Sequence, residues 1–275
     1  MKANRRHFLT TTLAASAMSV VSYESLQAAE NGGGRDYYDL RAYRLKPGAS
    51  HELLDGYLGQ ALIPALNQRG IPAVGVFTEV SVDKGAGTSR PIDNTPVWVL
   101  IPHSSLESFV GISADINNDP VVQQAGADYL KVPKATPAFE RIDSWLLRAF
   151  KSLPHTVIPA FSKSRAPGRI FEMRDYESHS EERALNKMNM FDEGETQLMQ
   201  DIGLGPVFFG QALSGPNLPH LRYMTGAADL ATHQANWKKF GPHPIWQKLK
   251  EMPQYKDNTS KNTARFLVPK VYSQI

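Results

Sequence analysis

"DLRAY" spans Asp39–Tyr43 and "EMRDY" spans Glu172–Tyr176, an offset of 133 positions. Both read acid, apolar, Arg, any residue, Tyr. The 27 residues after Tyr43 and the 27 after Tyr176 align without a gap, and each run ends in a glycine, Gly70 and Gly203. "IPAVGVFTEV" (71–80) and "LGPVFFGQAL" (204–213) follow, both apolar and rich in strand-forming residues. Self-similarity that persists across several elements reads as one fold unit written twice.

The elements can be placed from their periodicity. Alternation of Tyr38, Leu40 and Ala42 with Tyr37, Asp39, Arg41 and Tyr43 predicts a strand over 37–45. Leu54, Tyr57, Leu58, Ala61, Leu62 and Ala65 recur at helical spacing, so 50–68 reads as a helix that Pro64 kinks and Gly70 ends. A strand over 73–82, a hairpin loop "DKGAGTSRPIDNTP", the strand "VWVLI", a helix over 104–116 and the strand "SWLLRAF" complete the first half. The second half repeats the order with a shorter loop "SGPNLP", the strand "HLRYM", the helix "ADLATHQANWKKF" and the strand "ARFLVPK". Asp119-Pro120 and His243-Pro244 each read as an N-cap followed by Pro at the first helical position.

Each half is therefore β-α-β-β-α-β, a ferredoxin-like unit. Helices cover one face of such a sheet, and the other apolar face requires a partner. The expected fold is α+β: two tandem ferredoxin-like units packing sheet to sheet as a barrel. The expected boundaries are a first unit over 35–151, a linker rich in Pro, Ser and Arg over 152–168, and a second unit over 169–275.

The N-terminus "MKANRRHFLTTTLAASAMSVVSYESLQAAE" has the order of an export signal over 1–29. Arg5, Arg6, Phe8 and Leu9 give the twin-arginine pattern. The mild apolar stretch from Leu9 to Val21 is too short for a membrane span of about 20 residues. Cleavage is expected after Ala28 or Ala29. The chain is thus expected in the periplasm or outside the cell, delivered folded by the twin-arginine machinery, with no stable membrane anchor.

Of 30 basic and 27 acidic residues, three basic and one acidic lie in that leader. The remainder is nearly neutral and has no Lys/Arg run, which argues against a nucleic-acid partner. The absence of cysteine excludes disulfides, thiolate chemistry and Cys-ligated metal.

"YYDLRAYRLKPG" (37–48) resembles the opening strand and Leu-Lys-Pro-Gly turn of the NIPSNAP family, and "GRIFEMRDYESHS" (168–180) is similar to a looser second copy without that turn. "VWVLI" and "PHLRYM" resemble the family's third strand. The resemblance implies the dimeric α/β barrel superfamily, whose members include cofactor-free monooxygenases, haem proteins and small lyases. It implies no particular reaction.

Candidate site residues follow from the strands. With Leu40, Ala42 and Met173 assigned to the helix side, Arg41, Tyr43, Arg174 and Tyr176 point into the barrel, where guanidinium forks recognise carboxylates and phenols donate to oxygen. Trp98 is a candidate pocket wall, and His220 a candidate base within a strand. His103, His155, His233 and His243 show no metal-ligand spacing, and "DINNDP" (115–120) reads as a helix end and cap rather than a calcium loop. No phosphate loop, dinucleotide fingerprint or nucleophile elbow is present. No metal site and no cofactor are expected, while haem or a metal held by distant histidines stays open. No catalytic residue is assigned.

Three functions are therefore carried forward: an exported protein that binds a small, partly apolar molecule in its barrel, a cofactor-independent oxygenase- or isomerase-like enzyme, and a noncatalytic scaffold, with a homo-oligomer as a further candidate assembly. A barrel filled throughout by its own side chains would sink the first two and leave the scaffold.

Overall fold

The computed structural model describes residues 34–275. The expected export signal, with Arg5, Arg6, Phe8 and Leu9, lies outside the described residues. The strands are β1 (Tyr37–Arg44), β2 (Gly75–Asp83), β3 (Thr88–Pro91), β4 (Val97–His103), β5 (Arg141–Ala149), β6 (Ile170–Glu177), β7 (Gly205–Ser214), β8 (His220–Ala227) and β9 (Lys261–Pro269). Their order in the sheet is β3-β2-β4-β1-β5-β7-β8-β6-β9, and β9 pairs back to β2. The sheet closes into an antiparallel barrel, with β3 standing outside the ring as a ribbon on β2.

Within each half the pairing is the same. β1 lies between β4 and β5 with β2 beyond β4, and β6 lies between β8 and β9 with β7 beyond β8. The two blocks join at β5–β7 and at β2–β9. Closure removes the free edges that would otherwise template association.

Helices cover the outside. The first runs as α1 (Glu52–Tyr57), a π-helical turn at Leu58–Leu62, and α2 (Ile63–Gln68). Pro64 falls in the first turn of α2, so its missing N–H disturbs the bonding to the π-turn before it. The second half has the same break: α7 (Glu181–Met190), a π-helical turn at Phe191–Glu195 and α8 (Thr196–Asp201). Both turns start the same number of residues after their Arg-x-Tyr strands, although the second helical run, 181–201, contains no proline. Side-chain caps start α3 (Leu106–Asn117), α4 (Pro120–Ala125), α7 and α9 (Leu230–Lys238), through Ser105, Asp119, Ser180 and Asp229. His243 likewise caps α10 (Pro244–Glu251) ahead of its first-turn proline. A short α5 (Ala127–Leu130) and α6 (Ala160–Lys163) complete the helices that pack on the barrel.

The strand faces are the reverse of the sequence expectation. Leu40, Ala42 and Met173 pack inside the barrel with Tyr38, Phe77, Leu100, Phe171, Phe208 and Met224. Tyr43 packs beneath the first helices with Leu54, Leu58 and Ile63. Tyr176 packs beneath the second set, against a cluster holding Met188, Phe191 and Leu198. Both faces of each strand are buried, so alternation alone does not tell inside from outside. What decides is pairing. Arg41 donates from Nε to Asp39 (2.8 Å) and Arg174 from Nη1 to Glu172 (2.9 Å), each two residues back on the same face. A stripe that neutralises itself can lie under helices, which leaves the apolar residues of the other stripe to fill the middle of the barrel.

The segment expected as a linker is built into the fold. Thr156 N donates to Asp36 and Val157 N to Val207 O. Ile158 and Phe161 pack against the barrel interior, and Phe161 lies against Phe171 at a ring distance of 5.8 Å. At the same end, Ile275 is buried in that interior.

Candidate functional site

The interior changes character along its length. Its middle is filled by Tyr38, Leu40, Phe77, Leu147, Phe171 and Met224, all inaccessible to solvent. A ligand site in the centre of the barrel is thereby removed. The opposite end is polar, and the strand register explains why. Arg222 and His220 on β8, Asp175 on β6, Arg265 on β9 and Glu79 on β2 share parity with the interior residues Met224, Met173, Leu267 and Phe77.

These groups form one chain of bonds. Arg222 forks onto Asp175, through Nε to Oδ1 and through Nη2 to Oδ2 at 3.1 Å. Arg265 Nη1 donates to the same Oδ2 at 2.7 Å. Arg265 also faces Glu79 at 3.9 Å, and Glu79 accepts from Trp98 Nε1 at 2.9 Å. The Arg222 guanidinium lies 4.2 Å from the Trp145 ring centre and 5.6 Å from that of Trp98. Stacking on indole faces is favourable for a weakly hydrated guanidinium removed from water.

Arg222 is 2% exposed, and its Nη1 has no hydrogen-bond partner among the described residues. His220 is 1% exposed; its Nδ1 meets Asn217 O at 3.0 Å and its Nε2 has no partner. Burial, and then the charge of Arg222, hold the His220 pKa below its usual value, so the ring is neutral. With Nδ1–H donated to the carbonyl, Nε2 carries the free lone pair. Asp175 is an ion: burial alone would raise its pKa, but Arg222 and then Arg265 bring it below the ordinary carboxylate range. Glu79 lines a cleft of 460 Å³ shared with Leu45, Lys46, His51, Ile92 and Asp93, so the chain of bonds reaches the surface there.

Of the residues expected at a pocket, Trp98 and His220 are at this end of the barrel. Arg41, Tyr43, Arg174 and Tyr176 are not. They belong to two separate helix-side clusters. In one, the Tyr57 and Tyr129 rings stack at 4.1 Å and burial raises the Tyr57 pKa to about 12. In the other, Glu172 accepts from His233 Nε2 (3.0 Å), Trp237 Nε1 (2.7 Å) and Arg174, while Tyr176 and Tyr223 share a hydroxyl contact of 3.0 Å. Sequence reasoning passed over Arg222, Asp175 and Arg265. A signal was available: Arg222 in "HLRYM" and Arg265 in "ARFLVPK" each stand among apolar strand residues.

The Asp-x-Asn-x-Asp stretch ends in the α4 cap, where Asp119 accepts from Val121 N at 2.8 Å. Among the described residues, no group of three His, Asp or Glu side chains is placed to hold a metal ion, and no helix is long and apolar enough to cross a membrane.

Comparison with known families bears on the second half. Residues 171–274 match the NIPSNAP family model. The match falls on the half whose opening strand is the looser copy of the family pattern. No curated protein matches the chain. Among solved structures, the fold resembles a candidate monooxygenase from Lactobacillus acidophilus NCFM, with a TM-score of 0.51 at 9% identity, covering 86% of this chain and 94% of that one. A second candidate monooxygenase, from Fusobacterium nucleatum subsp. nucleatum ATCC 25586, gives 0.50 at 8% identity over 86% and 93%. An uncharacterized NIPSNAP-like domain protein from Burkholderia xenovorans aligns at 17% identity over 38% of this chain and 88% of its own, with a TM-score of 0.34. What is shared with the first two is the mixed α+β fold with a closed antiparallel barrel. At such identities fold carries no activity with it.

Proposed function

We propose that this is an exported NIPSNAP-type protein, built from a duplicated β-α-β-β-α-β unit, that binds a small, partly apolar molecule at the polar end of its barrel. The duplication is supported by the common pairing order and by π-turns at matching positions of the two halves. The observation that carries the binding reading is Arg222. A buried donor left without a partner costs about 1–3 kcal/mol, and such a group in a folded protein calls for a cause. Here the donor adjoins two indole rings and a second unpartnered group, His220 Nε2. Apolar walls with a few convergent polar atoms are the usual make-up of a small-molecule site.

Native mass spectrometry of the protein purified from its host is expected to show a reproducible added mass. Arg222→Met should remove it, while Arg41→Ala, on the helix side, should keep it. A bare polypeptide mass in the unmodified protein, with no small molecule taken up in solution, would remove the reading.

A second reading, a cofactor-independent oxygenase- or isomerase-like activity, is favoured by one feature. The neutral His220 ring presents a proton acceptor on the same strand face as a cation that can stabilise a developing oxyanion. Export has its own test. Arg5→Lys combined with Arg6→Lys should leave the chain in the cytoplasmic fraction, and undiminished periplasmic accumulation would rule out the twin-arginine route.

A further inference from the structure

The turn that follows β1 in the first half forms one wall of the 460 Å³ cleft that reaches Glu79. Ala49 N donates to Lys46 O at 2.9 Å, with Pro47 and Gly48 at the centre and a Gly48 φ of 75°, as a type II turn requires. The loop 91–95 is the opposite wall. Ile92 N donates to Glu79 O at 3.3 Å, which fixes this loop to β2, and Asn94 adopts a left-handed φ of 59°. Asn94 Oδ1 accepts from Gly48 N at 2.9 Å and so ties the two walls together. The cleft is thus shaped by the backbone, and its volume falls within the roughly 300–1,000 Å³ of small-molecule sites.

Its charges are arranged by wall. Lys46 is on one side and Asp93 on the other, and neither has an ion-pair partner among the described residues. His51 belongs to the Lys46 side. Lys270 Nζ, paired with Asp55 at 2.8 Å, lies 3.5 Å from His51 Nδ1. An ammonium can only donate, so Nδ1 accepts and Nε2 carries the ring proton. Donors therefore belong to one wall, while carboxylates come from the other wall and, through Glu79, from β2. Ile92, 41% exposed, adds an apolar surface.

The second half has a cleft of 290 Å³ at the matching place. His51, Thr78 and Glu79 of the first correspond to Ala184, Gln211 and Ala212 of the second, each 133 positions on. The cleft thus belongs to the repeated unit, and only the first copy presents charges of both signs on facing walls.

We propose that the first-half cleft binds a free α-amino acid with an apolar side chain, its carboxylate taken by Lys46 and His51, its ammonium by Asp93 and Glu79, and its side chain lying on Ile92. A ligand with one charge would match one wall and leave the other unmet, whereas a zwitterion matches both. This site does not involve Arg222, so it stands or falls separately from binding at the barrel end.

Leucine, N-acetylleucine (carboxylate only) and leucinamide (ammonium only), each titrated calorimetrically into the full chain at pH 7, separate the charges. Leucine is expected to bind at least about fivefold tighter than either, the order of one partly exposed ion pair. Lys46→Gln should weaken leucine by a similar factor and leave leucinamide unchanged. Asp93→Asn should weaken leucine and leave N-acetylleucine unchanged. Both side chains are exposed, so the denaturant midpoint of each variant should match the unmodified chain. Equal affinity for the three compounds would overturn the zwitterion. Leucine binding untouched by both substitutions, or absent at millimolar concentration, would overturn the site.

Discussion

Asp175→Ala should destabilise the fold by about 3–5 kcal/mol, the range for breaking a buried ion pair from one side. The cost comes mainly from Arg222. At 2% exposure it cannot turn to water, and without Asp175 its Nε and Nη2 join Nη1 in having no acceptor. Arg265 is a quarter exposed and can rehydrate, so it adds less. Arg222→Met should be milder than Asp175→Ala, because Asp175 keeps the 2.7 Å bond from Arg265. The pair Asp175→Leu with Arg222→Met should recover much of the loss, since matched apolar groups can replace a buried ion pair at little cost. Equilibrium denaturant unfolding of the singles and the double gives the coupling energy. If Asp175→Ala loses less than about 1 kcal/mol, the charge at Arg222 is not confined as described.

That network was the part of the molecule hardest to see in the sequence, for a physical reason. The gapless sequence match was legible because the two stretches place the same backbone demands at the same spacing. Gly70 and Gly203 both adopt left-handed φ angles, of 79° and 82°, after closing helical segments of 6 residues each, α2 and α8, and the gapless match ends on them. A barrel was expected from the β-α-β-β-α-β reading; the order of strands within it was not. Facing did not follow, because a barrel strand buried on both sides has no solvent side to mark its polarity. Asp39 and Arg41, or Glu172 and Arg174, look like pocket residues in one dimension. In three dimensions they satisfy each other beneath the helices. Trp98 and His220 stood out in apolar strands as candidates, and both lie at the polar end. Arg222 stands out equally, but its meaning depends on Asp175 and Arg265 from two other strands, which no local pattern reports. The π-turns were also invisible: "LGQAL" and "FDEGE" share no sequence signal.

The second large effect is expected at Glu172, on the other side of the same strand as Asp175. Its carboxylate accepts from His233, Trp237 and Arg174. His233 is 1% exposed, and its Nδ1 already has no partner among the described residues. Glu172→Ala should cost about 2–4 kcal/mol, from donors left unmet in a buried layer. The acid limb of the stability profile should change as well. Burial works to raise the Glu172 pKa, yet the His233 hydrogen bond and the Arg174 charge hold it below the ordinary range. A carboxyl depressed in the folded state contributes stability that is complete above its unfolded pKa, about 4.3, and is lost as pH falls through the lower folded value. A separate loss should begin at higher pH. His103, like His220, is held neutral chiefly by burial, so protonation of the unfolded chain below about pH 6.5 favours unfolding. The unmodified chain should therefore lose stability in two steps as pH falls, and Glu172→Ala should shrink only the lower one, to which Asp175 also contributes. Denaturant midpoints measured from pH 8 to pH 3 would test this, and a lower step of unchanged size in the variant would show that Glu172 is not ionised by its partners.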